Sequence, residues 1–114
     1  MLTIAIVLFA VAAVLGLTMA TKALRSNTPP LMLAIVHGLF AASGLILLII
    51  GVMHATTAGI GAWSLGIFVT AALGGFWLFS FHLRGKSLPI PLIVLHGLAA
   101  VTGFGLLLMW AFGK

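Results

Sequence analysis

The chain has 114 residues, 64% hydrophobic and 4% charged, with five Lys or Arg and no Asp or Glu. Soluble domains carry about 25% charged residues, so a water-soluble fold is excluded and the chain reads as an integral membrane protein. With no cysteine there is no disulfide, thiolate metal site or thiol catalysis. With no acid there is no glycosidase pair, Asp-based triad, acidic metal cage or carboxylate proton relay. Five scattered cations make no nucleic-acid patch. Four histidines are what remains for chemistry.

A spanning helix needs about 20 mostly apolar residues, and four such runs follow in order. The first covers Leu2–Ala20. It lacks a basic leading segment and is too long for the apolar part of a signal peptide, so it is expected to be a true span. The second covers Pro30–Val52, the third Ala62–Phe81 and the fourth Pro89–Phe112. Pro29, Pro30, Pro89 and Pro91 fall in first turns, where a missing N–H matters least, and Thr28 and Ser87 are the expected caps. Trp63 and Trp110 are placed near one boundary and Trp77 near the other, as interfacial anchors.

Lys22 and Arg25 lie between the first two runs, and Arg84 and Lys86 between the last two. The middle connection, from Met53 to Gly61, has no Lys or Arg. By the positive-inside rule both basic loops are cytoplasmic. Both termini are then extracytoplasmic, with Lys114 the one dissenting charge. The expected setting is a bacterial inner membrane.

A shift of 59 residues aligns the second helix with the fourth. Leu24-Arg25 meets Leu83-Arg84, Pro30 meets Pro89, and His37-Gly38-Leu39 meets His96-Gly97-Leu98. Ala41 meets Ala100, Gly44 meets Gly103, and Leu47-Leu48 meets Leu106-Leu107. Phe9, Ala12, Ala13 and Gly16 align with Phe68, Ala71, Ala72 and Gly75 at the same offset. The unit is a helical hairpin, residues 1–55 and again 60–114, within one membrane domain. Both copies put their basic loop on one side, so the repeat is parallel and its pseudo-twofold axis runs along the membrane normal. The expected fold is an all-α, up-down bundle of four transmembrane helices. His37 and His96 then face one another across the axis, each roughly 10 Å inside the basic face at 1.5 Å per residue.

A single intramembrane His is ordinarily a packed, neutral, hydrogen-bonded side chain. Two at duplicated positions on facing helices are different, because ionisable groups in membranes mark function. Two neutral imidazoles across a bundle axis are what a low-spin haem requires as axial ligands, and bundle cores hold cofactors this way. Diagonal helix axes are expected roughly 13 Å apart, from neighbour spacings of 8–10 Å. Ala41, Gly44, Ala100 and Gly103 lie on the His faces and would let a flat ring approach the backbone; ordinary small-residue packing is the competing use. Arg25 and Arg84, with Lys22 and Lys86 beside them, are the cations offered to the propionates, besides setting topology. His54 and His82 have no duplicated partner and are expected to be interfacial.

These features loosely resemble the b-type membrane cytochromes, in which helical bundles hold haem between histidines on facing helices. The likeness covers residues 30–51 and 89–110 and rests on His-Gly with spaced small residues. It implies axial ligation by His37 and His96 of one haem b, non-covalent for want of cysteine. Two-haem members carry a second His pair near the opposite face, where this chain has only His54, so one haem is expected. The function implied is one-electron transfer, with a quinone or a neighbouring subunit as partner and no bond chemistry.

Two further readings stay open. One is a non-catalytic structural subunit of a larger respiratory or photosynthetic complex, with no cofactor. The other is a pigment-binding subunit, since a His can ligate the magnesium of a bacteriochlorophyll; one His per pigment would then be usual. A small proton-coupled multidrug transporter would need a membrane carboxylate, and there is none.

Overall fold

The computed structural model describes residues 1–113; Lys114, the dissenting terminal charge, lies outside them. Four helices follow in order: α1 Leu2–Leu24, α2 Leu31–His54, α3 Gly59–Leu83 and α4 Ile90–Phe112. All four are long and apolar enough to cross a membrane. At 1.5 Å per residue they span about 35 Å, a few ångströms more than the hydrocarbon core and enough for modest tilt. Each helix packs most closely on its hairpin partner, α1 on α2 and α3 on α4; α1–α4 and α2–α3 contacts complete the square. The diagonal pairs are therefore α1–α3 and α2–α4, as an up-down bundle of duplicated hairpins requires.

The helix ends differ from expectation in one respect. Neither Thr28 nor Ser87 caps a helix: the capping positions are Pro30 and Pro89, with no side-chain bond to the first turn. In α4, Pro91 lies within the first turn and has no N–H, which removes one of the donors a hydroxyl cap would serve. At the other ends of the same loops, α1 and α3 finish alike. Asn27 N–H reaches Lys22 O and Lys86 N–H reaches Phe81 O, while Ser26 and Gly85 bond back to Ala23 and His82. This is the double hydrogen bond of a Schellman ending, whose left-handed residue is Ser26 (φ 63°) in one copy and Gly85 (φ 66°) in the other.

Large apolar side chains cover the outside, as a bilayer allows. Lipid-facing hydroxyls turn back on their own helix, Thr18 to Val14 O, Ser43 to Leu39 O, Thr70 to Gly66 O and Thr102 to Leu98 O. Each thereby satisfies its donor where no water is available.

The core is small and duplicated. Phe9, Leu48, Phe68 and Leu107 are buried, with Leu2, Ile6, Leu45, Val52, Leu65, Phe104 and Trp110 against them. The Phe9 and Phe68 rings stack on the axis with centroids 4.0 Å apart and planes 3° apart. This core fills the half of the bundle remote from the basic loops, where α1 and α3 begin. There the two hairpins differ by a swap of volumes. In the first, Leu2 of α1 packs against Gly51 of α2; in the second, Gly61 of α3 faces Trp110 of α4. Leu2 aligns with Gly61, and Gly51 with Trp110. Trp63 and Trp77 are exposed, 73% and 60%, as interfacial anchors would be. Trp110 instead turns inward, because Gly61 leaves room for its indole.

Candidate functional site

The half of the bundle nearer the basic loops holds the histidine pair. His37 Nδ1–H donates to the carbonyl of Ala12 at 2.7 Å, and His96 Nδ1–H to that of Ala71 at 2.8 Å. A carbonyl only accepts, so the proton is on Nδ1 in both rings and each Nε2 keeps its lone pair. The acceptors are repeat-equivalent, one on α1 and the other on α3. Both imidazoles lie on bare backbone: a Cβ at Gly16 would come within 3.0 Å of His37 Cε1, and one at Gly75 within 3.1 Å of His96 Cε1. Glycine at these two positions makes the close approach possible. The two rings meet across the axis with centroids 6.2 Å apart and planes at 76°. The expectation of facing histidines at one depth therefore describes the observed placement.

The small residues of α2 and α4 divide. Ala41 and Ala100 are partly buried one turn from the histidines. Gly44 and Gly103 are two turns away and already in use: a Cβ at either would lie 3.2 Å from the ring of Phe9 or Phe68. They seat the phenylalanine stack and do not border the imidazoles. Gly103 O also accepts from Ser64 Oγ at 2.7 Å, a fully buried bond that α1 lacks because its equivalent residue is Ala5.

The basic residues sit at the rim. Lys22, Arg25, Arg84 and Lys86 are exposed at one end of the bundle. Arg84 folds along its own helix, with Nε on Ser80 O at 3.1 Å, Nη2 on Ser80 Oγ at 3.2 Å and the guanidinium 4.7 Å from the Phe81 ring. His54 ends α2 at the opposite end and is exposed. His82 ends α3 at the basic end, half-buried. Neither adjoins the central pair in sequence register or depth.

Sequence reasoning assigned no role to Ala12, Gly16, Ala71 and Gly75, the residues that orient the imidazoles. Their signal is present, since they align at the same offset as the histidines. Among the described residues no group of three or more potential metal ligands comes together; the histidines form a pair only. No family model matches the chain, and neither a curated protein nor a solved structure is detectably similar to it.

Proposed function

We propose that this chain is a membrane b-type cytochrome, a one-electron carrier with one non-covalent haem b held between His37 and His96. The observation that supports it most is the poise of the two imidazoles. Each is fixed through Nδ1 to a carbonyl, the outer-sphere bond that orients a metal-binding histidine and raises its basicity. The two rings face one another across the axis with centroids 6.2 Å apart, so His37 and His96 are the residues that would hold the group. The haem would supply a reversible one-electron couple.

What the chain contributes is ligation, orientation and exclusion of water. Ala12 and Ala71 hold the tautomer, and Gly16 and Gly75 let the rings approach the axis. Ala41 and Ala100 are the small residues next to the ligands. The Phe9–Phe68 stack closes the axis toward the other end, which favours exchange at the basic side with a quinone or a neighbouring subunit. Arg25 and Arg84 on the rim are the cations we assign to the propionates. The orientation we assign places the basic loops in the cytoplasm and both termini outside a bacterial inner membrane.

The test is an absorbance spectrum of the full chain purified after expression with ample haem. We expect one haem per chain, with the sharp reduced bands of six-coordinate low-spin iron. His37→Ala and His96→Ala should each abolish them, and His54→Ala and His82→Ala should leave them intact. A monodisperse, haem-free chain would overturn the reading in favour of a structural subunit.

A further inference from the structure

A second polar feature lies on the pseudo-twofold axis, at the basic end and outside the histidine pair. It is a cleft of about 220 Å³ lined by Ala23, Ser26, Asn27, Thr28, Pro29, His82, Lys86, Ser87, Leu88 and Ile90. Most of this lining comes in repeat-equivalent pairs, so the cleft is the seam between the two loops. Asn27 faces the role of Lys86, Thr28 that of Ser87, Pro29 that of Leu88, and Ala23 that of His82.

The chemistry of the cleft is less symmetric than its frame. The first hairpin offers an amide and hydroxyls, from Asn27, Thr28 and Ser26. The second offers a cation and an imidazole, from Lys86 and His82, with Ser87 beside them. No carboxylate side chain exists anywhere in the sequence to neutralise Lys86. Lys22, Arg25 and Arg84 add positive charge at the same rim. The apolar part of the lining is Pro29, which is buried, with Leu88 and the half-exposed Ile90.

Ser26 is where the two loops differ in backbone chemistry. It occupies the left-handed position (φ 63°) that its counterpart Gly85 (φ 66°) fills with the residue type suited to it. Ser26 lines the cleft and Gly85 does not. The first copy therefore places a hydroxyl in the cleft at a position where the second copy has no side chain.

We infer that this cleft binds a phosphate-bearing anion through Lys86, with Ser26, Asn27, Thr28 and Ser87 as hydrogen-bond donors and His82 at its edge. Apolar Pro29 and Leu88 beside these donors suit the phosphodiester headgroup of an anionic lipid, and a free phosphate would meet the same donors. The inference is independent of haem binding.

The experiment uses the full chain in dodecyl maltoside micelles. Its thermal unfolding midpoint is followed against dioleoylphosphatidylglycerol, dioleoylphosphatidylcholine and inorganic phosphate. A saturable rise with phosphatidylglycerol and not with phosphatidylcholine identifies a lipid headgroup; an equal, saturable rise with inorganic phosphate identifies the free anion. Loss of a charge-assisted hydrogen bond should raise the half-saturating concentration roughly tenfold in Lys86→Gln. Lys22→Gln removes the same charge from the same rim outside the cleft and should change it less than about twofold. Ser26→Gly should weaken binding while leaving the ligand-free midpoint equal or higher, which separates a lost ligand group from a lost fold. Equal losses in Lys86→Gln and Lys22→Gln would show only diffuse attraction to a basic rim and overturn the inference. So would the absence of a saturable rise with either phosphate source.

Discussion

The volume swap between the hairpins makes a quantitative prediction at Gly61. A methyl built there would lie 2.5 Å from Trp110 Cδ2 and 2.6 Å from Cε2 and Cε3. Ordinary carbon contacts are about 3.5–4.0 Å, so the indole of Gly61→Ala must retreat by about 1 Å. It is a broad, rigid ring that sits against the core, and overpacking of this kind costs about 1–3 kcal/mol. Alanine returns up to about 1 kcal/mol of helix propensity, so a net loss of up to about 2 kcal/mol is expected. Gly66→Ala on the same helix is the control, because nothing lies within 4 Å of its added methyl; it should be neutral or stabilising by up to about 1 kcal/mol. Gly51→Ala meets only the flexible tip of Leu2, at 3.2 Å, and should fall between them. The assay is reversible unfolding in mixed micelles, read by helical circular dichroism, with tryptophan emission reporting the indole's displacement. Equal stability of Gly61→Ala and Gly66→Ala would refute the packing argument.

Ser64→Ala should cost about 0.6–1.7 kcal/mol in the same assay, the range for hydrogen bonds between membrane helices. It removes the one buried side-chain bond to Gly103 O and returns the position to the alanine found in the first hairpin. Gly75→Ala should displace the His96 ring, since the new methyl would meet Cε1 at 3.1 Å. We expect lowered haem retention with the helical content unchanged; haem content equal to that of the unaltered chain would argue against the role given to this glycine.

The four helices and their up-down order were legible because apolar length, proline placement and loop charge act independently of one another. The duplication also carried the histidine pair, since aligned His37 and His96 fix equal depth without any knowledge of side-chain packing. What did not show was the use of each small residue. Gly16, Gly44, Gly75 and Gly103 look alike in the sequence, yet two receive imidazoles and two receive phenyl rings. That assignment depends on how α1 and α3 rotate against their partners, which near-uniform hydropathy around each helix leaves unspecified. The inward turn of Trp110 was hidden for a related reason. An indole near a membrane boundary suits the interface as well as the core, and only Gly61 on a different helix decides between them. Thr28 and Ser87 look like caps by residue type, but they fall two residues too early once Pro30 and Pro89 take the capping positions.

Electron paramagnetic resonance of the oxidised chain loaded with haem tests the proposed function most directly. The imidazole planes of His37 and His96 stand at 76° to one another. If His37 and His96 held a haem iron between them, the oxidised chain should show the signal of low-spin iron. A high-spin signal would contradict ligation by both His37 and His96.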